Sequence, residues 1–113
     1  MAGKFELKKN PSGQFMFNLR AGNNQIILTS ELYREKGSAQ NGIESVKKHA
    51  GDDANYERKV SKKNEPFFVL KAGNGQVIGK SEMYSSAAAM ETGIASVKAN
   101  APGAVVADMT ANA

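Results

Sequence analysis

The sequence predicts an α+β protein: a tandem repeat of a three-strand, helix, strand motif forming a single antiparallel-rich sheet. The helices are expected on one face and the terminal strands exchanged between copies. Three observations predict it. Shifted by 51 positions, residues 5–51 lie on residues 56–102 without a gap, and eighteen of those pairs are identical. Within each copy, apolar residues first alternate and later recur every three or four positions. A single copy has about 50 residues, too few to bury a robust core alone, so two must share one.

The elements follow in order. Phe5-Glu6-Leu7-Lys8 alternates apolar and charged side chains, as a half-buried strand does. Asn10-Pro11-Ser12-Gly13 has turn chemistry, with Pro presetting one backbone angle and Gly permitting another. Phe15, Phe17 and Leu19 alternate with Met16, Asn18 and Arg20, a second strand. Ala21-Gly22-Asn23-Asn24 reverses the chain into a third strand over residues 25–29. The period then changes: Ala39, Ile43, Val46 and Ala50 form one helical stripe, with Lys47 and Lys48 in the last turn, where cations suit the dipole, and Gly51 as the stop. Met90, Ile94, Val97 and Ala101 repeat the stripe, with Ser85 or Ser86 as cap and Pro102-Gly103 as terminator. Gly42 and Gly93 sit inside the helices at the same repeat position, which predicts close approach of another backbone on that side.

A last strand is expected over residues 104–109. Its counterpart by the same offset, residues 53–58, overlaps the first strand of copy two, so a strand near residues 55–61 is expected to serve both units. The organisation is therefore one pseudo-symmetric domain, 1–113, with repeat one at 4–54, repeat two at 55–110 and a short tail at 111–113.

The best-matched motifs are Ala21-Gly22-Asn23-Asn24-Gln25-Ile26-Ile27 on Ala72-Gly73-Asn74-Gly75-Gln76-Val77-Ile78, Ser30-Glu31-Leu32-Tyr33 on Ser81-Glu82-Met83-Tyr84, and Gly42-Ile43-Glu44-Ser45-Val46-Lys47 on Gly93-Ile94-Ala95-Ser96-Val97-Lys98. Together they resemble the YegP-like family of small bacterial proteins, over nearly the whole chain from Lys4 to about Met109. The resemblance implies one shared sheet with swapped last strands. It implies no catalytic or ligand residues, because that family has no established biochemical function. Two departures stand out: Gly79 replaces Leu28 and Pro66 replaces Phe15, each expected to weaken its strand locally.

Composition narrows the function classes. Hydrophobic residues make up 41% and charged residues 23%, an ordinary globular balance. There is no cysteine, which excludes disulfides, thiol catalysis and sulfur-ligated zinc. The N-terminal residues lack the apolar run of a secretory signal, no stretch is long enough to span a membrane, and a cytoplasmic protein is expected. His49 is the only histidine and sits at a helix end, so a metal cluster or a Ser/His/Asp arrangement has nothing to build on. Gly73-Asn74-Gly75 precedes a strand rather than opening a helix, which reads as a hairpin and not a phosphate cradle. No cofactor is expected.

What remains is a small non-enzymatic binding or interaction module, with a protein partner or a second copy of itself as the expected partner. The candidate binding residues are those the repeat duplicates: Arg20 and Lys71, Tyr33 and Tyr84, Glu31 and Glu82. The formal net charge of +4 also admits an alternative. The repeat also pairs Lys8 with Lys59 and Lys47 with Lys98. If one sheet face is uncovered, the strand-borne members of these pairs, together with Arg20 and Lys71 and dotted with Met16, Phe67 and Tyr56, would form a basic, aromatic surface for weak binding of single-stranded nucleic acid.

Overall fold

A computed structural model describes residues 3–110; the expected tail at 111–113 lies outside the described residues. The chain runs β1 (Lys4–Lys9), β2 (Phe15–Arg20), β3 (Ile26–Thr29), α1 (Lys36–His49), a 3-10 turn (Asp53–Asn55), β4 (Tyr56–Val60), β5 (Pro66–Lys71), β6 (Val77–Lys80), α2 (Ala87–Asn100) and β7 (Val105–Asp108). This is an α+β fold built on one seven-stranded sheet, in the order β4-β5-β6-β3-β2-β1-β7. Every pairing is antiparallel except β1 with β7, which is parallel.

Turn chemistry sets the hairpins. Asn24 and Gly75 occupy the same repeat position and both have positive φ, 72° and 84°. Gly13 and Asn64 are likewise equivalent, at 83° and 67°. Gly and Asn interchange there because both tolerate the left-handed region. In each Ala-Gly-Asn motif the Asn carboxamide accepts the amide of the following Gln, Asn23 from Gln25 and Asn74 from Gln76.

The two halves join at β3 and β6, where Thr29 faces Lys80. These are equivalent repeat positions, so the pseudo-two-fold axis passes between them, normal to the sheet. Leu28 and Gly79 break the symmetry there. A Cβ on Gly79 would stand 2.6 Å from Leu28 Cδ2. Gly79 therefore makes room for a leucine that fills the seam; it is part of the packing rather than the expected weak spot. Pro66, the first residue of β5, accepts the Tyr84 amide at 2.8 Å but cannot donate the bond that its equivalent Phe15 gives to the Tyr33 carbonyl, so the strand is weaker there by one hydrogen bond, as expected.

Both helices cover the same face of the sheet and straddle the seam: α1 touches β1 and β2 but also β5 and β6, and α2 touches β5 but also β3. The core lies between, with Phe5, Leu7, Phe17, Leu19, Phe68 and Leu70 from the strands fully buried against Ile43, Val46, Ile94 and Val97. Each helix is therefore covered by strands of both halves. Ser86 caps α2 by accepting the Ala89 amide, while Glu35 at the start of α1 makes no such bond.

The backbone expected opposite Gly42 and Gly93 is instead a tyrosine ring. Cβ atoms at those positions would lie 2.6 Å from the Tyr33 hydroxyl and 2.2 Å from the Tyr84 hydroxyl. Each ring also stacks on a core phenylalanine, Tyr33 on Phe17 and Tyr84 on Phe68, with centroids 6.4 and 6.3 Å apart. β4 is both the strand that follows α1 and the first strand of the second repeat, and it pairs with β5 alone. The halves are bridged by β3–β6 and β1–β7.

Candidate functional site

Alternation along the strands sends every second residue away from the helices. On that uncovered face the register places Glu57 and Lys59 of β4 beside Val69 and Phe67 of β5, with Lys71 on the same strand. Lys80 and Thr29 follow at the seam. Asn18, Arg20 and Met16 of β2 then lie beside Glu6, Lys4 and Lys8 of β1. Val105 and Ala107 of β7 complete the row.

Six cations and two carboxylates project from this face: Lys4, Lys8, Arg20, Lys59, Lys71 and Lys80, against Glu6 and Glu57. The surplus equals the formal net charge of the entire chain, +4. Everywhere else acids and bases cancel. The mild basicity that looks unfocused in composition is thus concentrated on one side of one sheet.

The carboxylates organise the cations. Glu6 is nearly buried and accepts a 2.6 Å bond from Arg20 Nε, with Lys8 and Lys4 Nζ at 3.5 and 3.6 Å. The Arg20 bond, aided by the charges of Arg20, Lys8 and Lys4, holds the Glu6 carboxyl below its ordinary range against the opposing effect of burial. Glu57, its repeat equivalent, pairs with Lys71 and with Lys59 at 3.7 Å, and the Lys71 bond likewise lowers its pKa. Asn18 links the centre by donating to Thr29 Oγ1 at 2.9 Å. Lys80 lies over the Phe67 ring, 5.2 Å from its centroid.

The six residues singled out from the sequence do not share this face. Arg20 and Lys71 belong to it. Tyr33 and Tyr84 lie on the helix side as half-buried packing groups against Gly42 and Gly93. Glu31 and Glu82 are exposed in the segments before the helices. Arg20 does meet Glu82 and Tyr84 across the repeat boundary, in an open cleft of about 430 Å³ that Asn24, Gln25, Ile26 and Ile27 also line. Its guanidinium is already committed there, to Glu6 and to the Asn24 carbonyl.

One further expectation changes. Tyr56 is no part of the uncovered face: it is buried among the core residues, packs edge-on against Phe68 and donates its hydroxyl to the Ala50 carbonyl at 2.7 Å. Burial pushes its phenol pKa well up, and Asp53 adds to the effect. Lys47 and Lys98 are on the helices, over the Phe5 and Tyr56 rings. Phe67 is thus the one aromatic ring on the uncovered face among the described residues.

His49 has a clear task. Its Nε2 accepts the Gly73 amide at 3.1 Å while Nδ1 donates to the Ser45 carbonyl at 2.8 Å, which fixes the neutral tautomer and ties α1 to the hairpin of the other repeat. Among the described residues no three of His, Asp and Glu cluster as metal ligands would, and no helix is long and apolar enough to cross a membrane. Glu6, Glu57, Lys4 and Lys80 went unnoticed as site residues in the sequence. The signal was present for Glu6 and Glu57, identical between copies and in the same strand phase as Lys8 and Lys59.

Comparison with known proteins fits this architecture. A family model described as a domain of unknown function, DUF1508, matches twice, at residues 10–57 and 61–108. The chain belongs to this family. Each DUF1508 match takes in two strands, a helix and residues of the strand that follows. A UPF0339 protein of Bordetella pertussis is 57% identical over 97% of this chain and 98% of its own length. YegP of Shigella flexneri, also a UPF0339 protein, is 51% identical over 97% of this chain and all of its own. The solution structure of YegP from E. coli superposes with a TM-score of 0.93 at 50% identity, covering 98% of this chain and 96% of that one. The solution structure of a UPF0339 protein from Shewanella oneidensis gives 0.92 at 49%, covering 97% and 93%. The resemblance in the repeated motifs is therefore one of descent. The DUF1508 and UPF0339 names carry no function.

Proposed function

We propose that the protein is a non-enzymatic binding module of the cytoplasm, and that it holds an anionic partner against the uncovered face of its sheet. One observation carries this reading: the whole positive surplus of the chain projects from the single face that the helices leave open. A surface of one sign attracts and orients an opposite one, and the attraction weakens with salt. The carboxylates Glu6 and Glu57 hold the cations in two equivalent clusters, one per repeat, so an extended polyanion meets matched contacts on both sides of the seam.

The strands at the two edges are part of the same reading. β7, the strand after α2, crosses to the outer edge of the first half beside β1, whereas β4, which follows α1, opens the second half and pairs within it. We take the β7 crossing as the transfer of a terminal strand, which ties the second repeat to the charge cluster of the first. Weak binding of single-stranded nucleic acid is the second reading. The charge favours it, but stacking would rest on Phe67 alone, since Tyr56 is in the core.

Fluorescence anisotropy at low salt, with a labelled oligothymidylate and a labelled polyglutamate, tests both. Binding of either ligand is expected, lost on raising salt and weakened by Lys71→Glu or Lys80→Glu more than by Lys48→Glu on a helix. Preference for the oligonucleotide that drops on Phe67→Ala would favour the second reading. No binding of either polyanion at low salt overturns the proposal.

A further inference from the structure

The sheet has two edges among the described residues, and they are not defended alike. β4 presents Glu57, Arg58 and Lys59 in succession, and a charged edge resists pairing with another strand. β7 presents Val105, Val106 and Ala107. Val105 is 67% exposed, Val106 44% and Met109, just beyond the strand, 52%; among the described residues no other element gathers exposed apolar side chains in this way.

The backbone of β7 is also ready to pair. The Met109 amide donates inward to the Leu7 carbonyl. In a parallel ladder alternate residues turn their groups to opposite sides, so Val105 and Ala107 bond inward while Val106 and Asp108 turn their amides and carbonyls outward. Beside this edge a cleft of about 260 Å³ lies between Val106 and Gln40, Asn41, Ile43 and Glu44 of α1.

We propose that β7 is a homodimer interface, pairing antiparallel with β7 of a second copy about Val106. The strand is its own complement. Centred there, Val106 faces the second copy's Val106 through outward-turned amides and carbonyls, forming a hydrogen-bonded pair, and Val105 faces Ala107. Asp108 falls opposite Ala104 and is already ion-paired with Lys36, so no like charges meet. A charged strand from another protein would find no opposite charge along residues 105–107, whereas this apolar one matches. The contact is isologous and closes on itself. It doubles the seven-stranded sheet and sets the two basic faces side by side. The dimer does not depend on the function proposed above.

Four residues of strand make a contact smaller than the roughly 1,200 Å² of stable complexes, so a dissociation constant between about 1 µM and 1 mM is expected. Sedimentation equilibrium of the full chain across that range should show dimer formation. Val106→Pro removes one outward amide and no inward bond, and should weaken the dimer at least tenfold. Val60→Lys, at the opposite edge, should leave it unchanged. Val105→Lys, which keeps every backbone donor, should weaken it too and decides the matter if the proline variant melts early. A chain that stays monomeric up to about 1 mM overturns the proposal, as does a dimer indifferent to both substitutions on β7.

Discussion

Leu28 occupies the space that a side chain on Gly79 would need: a Cβ there would stand 2.6 Å from both Cγ and Cδ2 of the leucine. The two positions are equivalent in the repeat and meet beside the pseudo-two-fold axis, where the central seam holds one leucine and not two.

A reciprocal exchange tests that relationship. Gly79→Leu alone should overpack the seam and cost about 1–3 kcal/mol. Leu28→Gly alone should cost about 3–5 kcal/mol, from the cavity and the added backbone freedom. Carrying both changes places the leucine on the other copy in an equivalent seat, and most of the combined loss should return. Urea unfolding of the three variants measures the coupling; additive losses would show that the seam is not what joins the two residues.

Acid should loosen the uncovered face in a defined direction. The carboxyl of Glu6 is held below its ordinary pKa by the Arg20 hydrogen bond and the neighbouring lysines. A depressed folded-state pKa contributes stability that is complete above the unfolded value, about 4.3, and is lost as pH falls through the folded one. Stability of the native chain should therefore fall more steeply below about pH 4.3 than that of Glu6→Gln, which should be the less stable of the two at pH 7. Parallel curves for the two proteins, from denaturant titrations at pH 7 down to pH 3, would remove Glu6 from this account.

Residues 1–60 expressed alone should dimerise. In the full chain α1 packs partly on β5 and β6, β3 pairs with β6, and β1 receives the strand that follows the other helix. A second copy of the half-chain supplies each of these surfaces in equivalent form, with residues 54–57, the repeat counterpart of β7, taking its place. Light scattering at micromolar concentration should give twice the monomer mass; a folded monomer would show that one repeat is self-sufficient.

Much of the fold is legible without coordinates because it is set by near neighbours. Alternation at Phe15, Phe17 and Leu19 specifies β2, the stripe Ala39, Ile43 and Val46 specifies α1, and the paired Asn24 and Gly75 specify the hairpins, since each depends on local backbone preferences and on one face being apolar. The duplication then requires a shared sheet, because neither half has enough apolar surface to close a core. The site was legible only in part. Arg20 and Lys71 stood out because the repeat pairs them, yet which cations share a face depends on register, and register depends on partners distant in the chain. Tyr56, equivalent to the core residue Phe5, went inward with its strand phase, and Tyr33 and Tyr84 went to their glycines.

The elements, their turns and the pairing of two like halves are written in the order of residues, because periodicity and backbone chemistry within each copy dictate them. It took the assembled fold to place the entire positive surplus on one open face, to give the seam room for Leu28 and none opposite it, and to leave one edge of the sheet charged and the other bare. These properties arise where the two copies meet or end, and nothing inside a single copy specifies them.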